Sequence, residues 1–338
     1  MLSESDPAQS SSADSLVGLV VAQVFRIQAQ LGAGACSRVY RAEHVDLRQP
    51  VAIKVLNREY VETEDIRSRF HREARIATRI AHPAVVSVLM TGELPNCGAS
   101  RGEAFIVYEL VDGATLRQLL QKHGCLGIAT SVGILMAMSD AVGAAHRLGI
   151  VHRDLKPENL MIVESSQGKR SLRVLDFGLA KLHEPTESRL THTGAILGTP
   201  SYLAPESARG YAATPRSDVY SMATIGYECL VGKPPFRDAS AIKTLMQQIE
   251  CEPEPLAQAA TGLQVPEPIA AVIHQNLAKL AESRAEDAYG FAHDLNRACD
   301  TARIKFEDFG LHSDVWQACS LERSDADIEA ERKTEAKT

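Results

Sequence analysis

Asp154, Lys156 and Asn159 fall within the octet His152-Arg153-Asp154-Leu155-Lys156-Pro157-Glu158-Asn159, and Asp176 opens the triplet Asp176-Phe177-Gly178 downstream. Two carboxylates, an ammonium and a carboxamide so spaced suit phosphoryl transfer. One Asp can orient an attacking hydroxyl and take its proton, while a second Asp and the Asn hold Mg²⁺ against the phosphates of ATP. Asp176 follows Leu172-Arg173-Val174-Leu175, which reads as a strand, and Gly178 lets the chain turn sharply after it. An isolated Asp-Phe-Gly carries little information. Paired with an HRDLKPEN octet upstream, it is highly specific.

Other elements must place a nucleotide against these groups. Leu31-Gly32-Ala33-Gly34-Ala35-Cys36-Ser37-Arg38-Val39-Tyr40 sets glycines two apart between strand-like runs. Glycines there let backbone N–H groups come close to phosphates. Alone, such a stretch reads as an ordinary hairpin, but Val51-Ala52-Ile53-Lys54-Val55-Leu56 follows and alternates as a strand does. Ala52 and Lys54 therefore share a face: a small residue leaves room for a flat ring, and the ammonium can reach its phosphates. Next, Ile66, Phe70, Ala77 and Ile80 fall at helical spacing over 66–80, and the same count puts Glu73 on their stripe. A carboxylate on an inward face needs a partner, because an isolated buried charge is costly. Lys54 is the natural candidate.

With these motifs the chain resembles the bacterial eukaryotic-like (Hanks-type) protein serine/threonine kinases over about residues 25–300. Further stretches carry the resemblance: Phe70-His71-Arg72-Glu73-Ala74, His82-Pro83-Ala84-Val85-Val86, Phe105 to Gly113, Gly198-Thr199-Pro200-Ser201-Tyr202-Leu203-Ala204-Pro205-Glu206, and Ser217-Asp218-Val219-Tyr220-Ser221. The resemblance implies an α+β, two-lobed protein kinase-like fold. A small antiparallel β-sheet lobe plus one helix (25–110) would precede a larger, mainly helical lobe (111–304), with ATP at the junction. It implies Asp154 as catalytic base, Lys156 near the transferred phosphate, Thr199 bridging toward both, and Lys54 on the α/β-phosphates paired with Glu73. Asn159 and Asp176 would ligate Mg²⁺, with Mn²⁺ as the alternative ion. Gly32, Gly34 and Ser37 would cover the phosphates. Val39, Ala52 and Met161 would flank adenine, Glu109 and Val111 would bond its edge through their backbone, and Tyr108 would stand behind it. Asp218 would brace the catalytic loop, and Glu206 would pair with Arg284. The third glycine of the loop is Ser37, a residue that members of the family tolerate there. No catalytic position is substituted.

Arg153 leaves a positive charge beside Asp154 that a phosphate on the loop 176–206 could neutralise. Thr191 and Thr193 are the leading hydroxyls for autophosphorylation, with Thr186 and Ser188 behind them. Two other readings stay open at this level: a small-molecule phosphotransferase of similar fold, and a nucleotide-binding scaffold without turnover.

Composition is that of a folded protein. Of 338 residues, 45% are apolar and 23% charged. A net charge of −7 argues against a nucleic-acid partner. Protein substrates bearing Ser or Thr are the expected partners, and pairing of two copies is left open. Seven cysteines with no Cys-x-x-Cys pair point to reduced thiols. Cys36, in the glycine loop, reads as exposed, and as an inert thiol rather than one with a redox or inhibitory role. The N-terminus lacks a basic region, so no signal peptide is expected, and Leu126 to Met138 reads as a buried helix rather than an anchor. The expectation is a soluble, cytoplasmic kinase. Residues 1–24 read as a partly disordered segment, and 305–338 as a charged extension.

Overall fold

The computed structural model describes residues 16–34, 36–97, 100–177 and 200–311. Gly178, Thr199 and the loop hydroxyls Thr186, Ser188, Thr191 and Thr193 lie outside these residues, as does the side chain of Glu73. The described chain divides into two compact units, 16–74 with 87–110 and 75–86 with 111–311.

The smaller unit is an antiparallel sheet. Its strands are β1 (Val20–Val21), β2 (Phe25–Ala33), β3 (Ser37–His44) and β4 (Pro50–Leu56). The helix α1 (Glu64–Ala77) follows, then β5 (Val88–Glu93), the two-residue strands β6 (Asn96–Cys97) and β7 (Ser100–Arg101), and β8 (Ala104–Glu109). The six long-range strands run in the order β1-β2-β3-β4-β8-β5. Alternation explains why they pair. Val51, Ile53 and Val55 project from β4 to one face and pack with Ile27, Tyr40, Phe105 and Val107.

The helix α1 is shorter than the pattern suggested. It ends at Ala77, and Ile80 lies beyond it among the core of the larger unit. Arg79 and Ile80 donate to Ile76 and Ala77, one residue short of helical spacing, and Pro83 follows closely. That tightened turn is a usual way to end a helix ahead of a proline. Among the described side chains of α1, Phe70 and Ala74 are the ones fully buried. The connection 96–103 also does more than link strands. Glu103 is buried there, and it accepts bonds from Arg58 Nε at 2.9 Å and Ser100 Oγ at 2.7 Å.

The larger unit contains β9 (Ala114–Thr115), α2 (Leu116–His123), α3 (Ile128–Arg147), β10 (Leu160–Glu164) and β11 (Arg170–Val174). It continues with α4 (Pro205–Ala208), α5 (Pro215–Val231), α6 (Ala241–Glu250), α7 (Leu256–Ala259), α8 (Glu267–Asn276) and α9 (Ala288–Ala302). Local chemistry sets several of these ends. Thr115 and Gln118 form a capping box at α2. Thr214 and Ser217 do the same at α5, which Gly232 closes in the left-handed region. The helix α3 is buried along most of its length because other elements surround it. By length and composition it is the one described helix that could cross a membrane, and 78% of that window is buried inside the unit.

Residues 305–311, read from the sequence as the start of an extension, lie against this unit. Phe309 is buried, its carbonyl accepts from Leu172 N–H at 3.1 Å, and Glu307 N–H donates to Ala129. Gly133 makes this docking feasible: a Cβ there would sit 2.2 Å from the Glu307 carbonyl oxygen.

Candidate active site

The octet 152–159 folds as a loop leading into the short turn Pro157–Asn159 and then β10. A buried carboxylate holds its start. Asp218, on α5, accepts the backbone N–H of His152 at 2.7 Å and that of Arg153 at 2.9 Å. It also accepts Nε2–H of His146 at 2.9 Å. The His146 tautomer follows from its other nitrogen, because Nδ1 accepts the N–H of Ala288. Three donors compensate a carboxylate with almost no exposure. The sequence pointed to Asp218 but missed His146. Its only signal was a histidine inside an otherwise apolar helix.

His152 is buried, and burial pushes its imidazole below the usual range against the pull of Asp218 and Asp154. A neutral ring fits its bonds: Nε2–H donates to the Leu175 carbonyl at 2.9 Å, and Nδ1 accepts the N–H of Asp154. The ring packs on Phe177, with centroids 4.6 Å apart. Arg153 and Asp176 both occupy the left-handed region, with φ of 69° and 55°. Non-glycine residues adopt that region at a cost, and such strain collects at functional sites.

The four chemistry-bearing residues of this unit are brought together. Lys156 Nζ donates to Asp154 Oδ2 at 2.6 Å. Asn159 Nδ2 donates to the same oxygen at 3.1 Å and to the Asp154 carbonyl at 2.8 Å. With Nδ2 so committed, the Asn159 carboxamide turns its oxygen, the end a cation needs, to the other side. Leu175 N–H donates to the Asn159 carbonyl at 2.9 Å, which seats Asp176 next in the chain beside Asn159. A carboxylate and a carboxamide oxygen are ligands suited to a hard divalent cation. Met161 lies on β10, paired with Thr115 of β9.

The smaller unit carries its own set. Lys54 is opposite Val39 on β3 and Ile106 on β8; Ala52 is opposite Tyr108. Directly paired residues share a face. Val39, Ala52, Lys54 and Tyr108 therefore all lie on the face of the sheet away from its core. The glycine hairpin closes with Gly34 N–H donating to the Ser37 carbonyl at 2.7 Å. A Cβ at Gly32 would meet no atom of the described chain, and neither Gly32 nor Gly34 has a positive φ. Neither packing nor a positive φ demands glycine at Gly32. The Glu109 N–H and carboxylate are both engaged by Ser87.

One reading of the sequence is corrected here. Cys36 is buried, not exposed, and its thiol is pushed up by that burial. Asn57 N–H donates to the Cys36 carbonyl, and a raised thiol is less readily ionised. The pair of Glu206 and Arg284 forms as expected, with two parallel bonds of 2.9 Å. Burial would raise the Glu206 carboxyl, but Arg284 and the Ser217 hydroxyl hold it below the ordinary range.

Comparison with known proteins shows the family. The protein kinase domain model matches residues 25–312. The probable serine/threonine-protein kinase PknB of Corynebacterium glutamicum is 34% identical over 280 residues, covering 82% of this chain and 42% of its own length. PknB of Mycobacterium tuberculosis is 36% identical over 267 residues, 79% of this chain and 41% of its own. The serine/threonine-protein kinase pkn3 of Myxococcus xanthus is 34% identical over 296 residues, 87% and 53% respectively. The chain thus spans about half the length of the curated relatives it matches. Among solved structures, the kinase domain of Mycobacterium tuberculosis PknI aligns with a TM-score of 0.64 at 26% identity, covering 83% of this chain and 98% of that one.

Proposed function

This chain belongs to the protein kinase family, and from that premise we propose that it is an ATP-dependent protein serine/threonine kinase. The observation that carries the reading is the bonded array of Asp154, Lys156 and Asn159, with Asp176 seated beside it. Asp154 accepts the proton of an incoming Ser or Thr hydroxyl. Lys156, held on Asp154, places positive charge where the γ-phosphate passes to that hydroxyl. Asn159 and Asp176 would hold Mg²⁺ or Mn²⁺, which when bound neutralises the charge of the nucleotide phosphates.

In the smaller unit, Lys54 binds the α/β-phosphates with Glu73 as its partner, and the hairpin of Gly32, Gly34 and Ser37 covers the phosphates. Val39 and Ala52 flank the adenine ring. Glu109 and Val111 bond its edge through their backbone. Thr199 contacts Asp154 and Lys156, and Thr191 or Thr193 receives the regulatory phosphate. The substrates are proteins, and the site of action is the cytoplasm.

The test is direct. The purified chain and Asp154→Asn are incubated with ATP, Mg²⁺ and a generic protein substrate, and phosphosites are read by mass spectrometry. The expected result is Ser and Thr phosphorylation by the parent. The variant should lose about 10²–10⁴ in rate, the usual contribution of a positioned proton acceptor, while binding nucleotide as the parent does. A variant that keeps the parental rate removes Asp154 from the mechanism.

A further inference from the structure

We propose that Arg117 is a positioning residue for the phosphoryl transfer, an inference that rests on the kinase reading above. Arg117 is the second residue of α2 and was not singled out by any sequence motif. Its guanidinium meets groups from three separate stretches. Nε donates to Glu158 Oε1 at 2.8 Å, Nη1 donates to Glu228 Oε1 at 2.7 Å, and Nη2 donates to the Tyr202 hydroxyl. The Tyr202 hydroxyl in turn donates to the second oxygen of Glu228.

The places these partners occupy give the contact its meaning. Glu158 stands between Lys156 and Asn159 in the catalytic loop. Tyr202 ends the short turn Pro200–Tyr202, just after Thr199. Glu228 lies on α5, the helix that carries Asp218. The loop is therefore tied to α5 twice. Asp218 holds its start, under His152 and Arg153; Glu228, through Arg117, holds its end at Glu158. Leu175 and the pairing of Leu160 with Val174 anchor Asn159 at the far end, and the Arg117 tie fixes Glu158, a residue between Lys156 and Asn159. Among the described residues, Arg117 is the only partner of the Glu158 carboxylate, whose Oε2 is buried without a bond.

The electrostatics favour a permanent tie. Burial works against the Arg117 charge, but its bonds to Glu228 and Glu158 outweigh that effect and hold the guanidinium protonated. Burial also pushes the Tyr202 phenol up, so it stays a neutral donor to Glu228. Three prongs are needed at fixed angles, a task a guanidinium performs and an ammonium does not.

The experiment compares the parent with Arg117→Ala, Arg117→Lys, Glu158→Gln and Arg117→Ala/Glu158→Gln. It reads kcat and KM for ATP with a generic protein substrate, together with thermal melting. Arg117→Ala should lower kcat about a hundred-fold, the scale of a catalytic group displaced by about 1 Å, with KM for ATP unchanged. Millimolar guanidinium chloride should restore part of that kcat, and Arg117→Lys should recover little of it. Glu158→Gln, a change at a half-exposed carboxylate, should lower kcat without lowering the melting temperature, so it carries the test if Arg117→Ala fails to fold. The double variant should lose no more than the larger single loss, because both changes cut one tie.

Parental kcat in Glu158→Gln, additive losses in the double variant, or losses in kcat that only follow melting temperature would each overturn the inference. A parent that transfers phosphate beside an inert Asp154→Asn, with Arg117→Ala at the parental rate, overturns this inference alone. A parent with no transfer overturns the kinase reading and this inference together.

Discussion

The two units present their functional residues by different physical means. In the smaller unit, strand register does the work. Val39, Ala52, Lys54 and Tyr108 share a face because they are paired across β3, β4 and β8, while Val51, Ile53 and Val55 anchor the opposite face in the core. Moving such a strand by one residue would exchange the two faces, so apolar burial alone fixes where Lys54 points. In the larger unit, the loop 152–159 has no such periodicity. Buried polar groups hold it instead: Asp218 with its three donors, and Asn159 bonded to Asp154 and Leu175. Sites on a sheet face inherit the robustness of a hydrophobic core, whereas a loop held by buried polar bonds depends on each bond being made.

That contrast can be broken first at Asp218. Asp218→Ala strands the N–H groups of His152 and Arg153 and the Nε2–H of His146, each costing about 1–3 kcal/mol. Denaturant titration should show a loss of several kcal/mol, and activity should collapse even in the folded fraction. Ile53→Ala should behave differently. A buried aliphatic truncation costs about 2–5 kcal/mol, yet the nucleotide affinity of the folded protein should stay parental by fluorescence titration. If Ile53→Ala weakens nucleotide binding as much as it weakens folding, core packing and site geometry are not separable in the sheet.

A smaller effect is expected at Gly133. Its added methyl in Gly133→Ala would collide with the Glu307 carbonyl, an overpacking cost of about 1–3 kcal/mol. Limited proteolysis should then cut within 304–311 faster than in the parent.

The mildest effect concerns Lys279. Its Nζ is buried without a hydrogen-bond partner among the described residues, 4.2 Å over the Phe236 ring. Burial lowers its ammonium from 10.5 to about 8. The unfolded chain therefore binds more protons between those values, and stability should rise with pH across that window as the penalty is relieved. Lys279→Met should flatten the rise in melts collected at pH 8 and pH 10. A parental slope in the variant would assign it to other groups.

How much could be read in advance follows the same division. The strand alternation at Lys54 was legible because a period of two is visible in any window. The octet 152–159 and the triplet at Asp176 were legible through resemblance, as was the pair of Glu206 and Arg284. The anchors were not: His146, Arg117 and Glu228 lie far apart in the chain and meet only after folding. The exposure of Cys36 was misjudged because a glycine loop suggests openness, whereas the residue is buried. The end of α1 was placed too late because periodicity counts apolar residues and takes no account of the tightened turn ahead of Pro83.

Residues 305–311 change what a pull on the chain would do. Phe309 is bonded to Leu172 in the middle of β11, and Gly310, at φ 77°, lies against Ser171 of the same strand. Four residues beyond Leu172 stands Asp176. Tension applied to the chain after residue 311 thus arrives first at β11, by way of the Phe309 bond, before it can unravel α9. The segment acts as a mechanical tether whose far end is the strand that delivers the Asp-Phe-Gly aspartate.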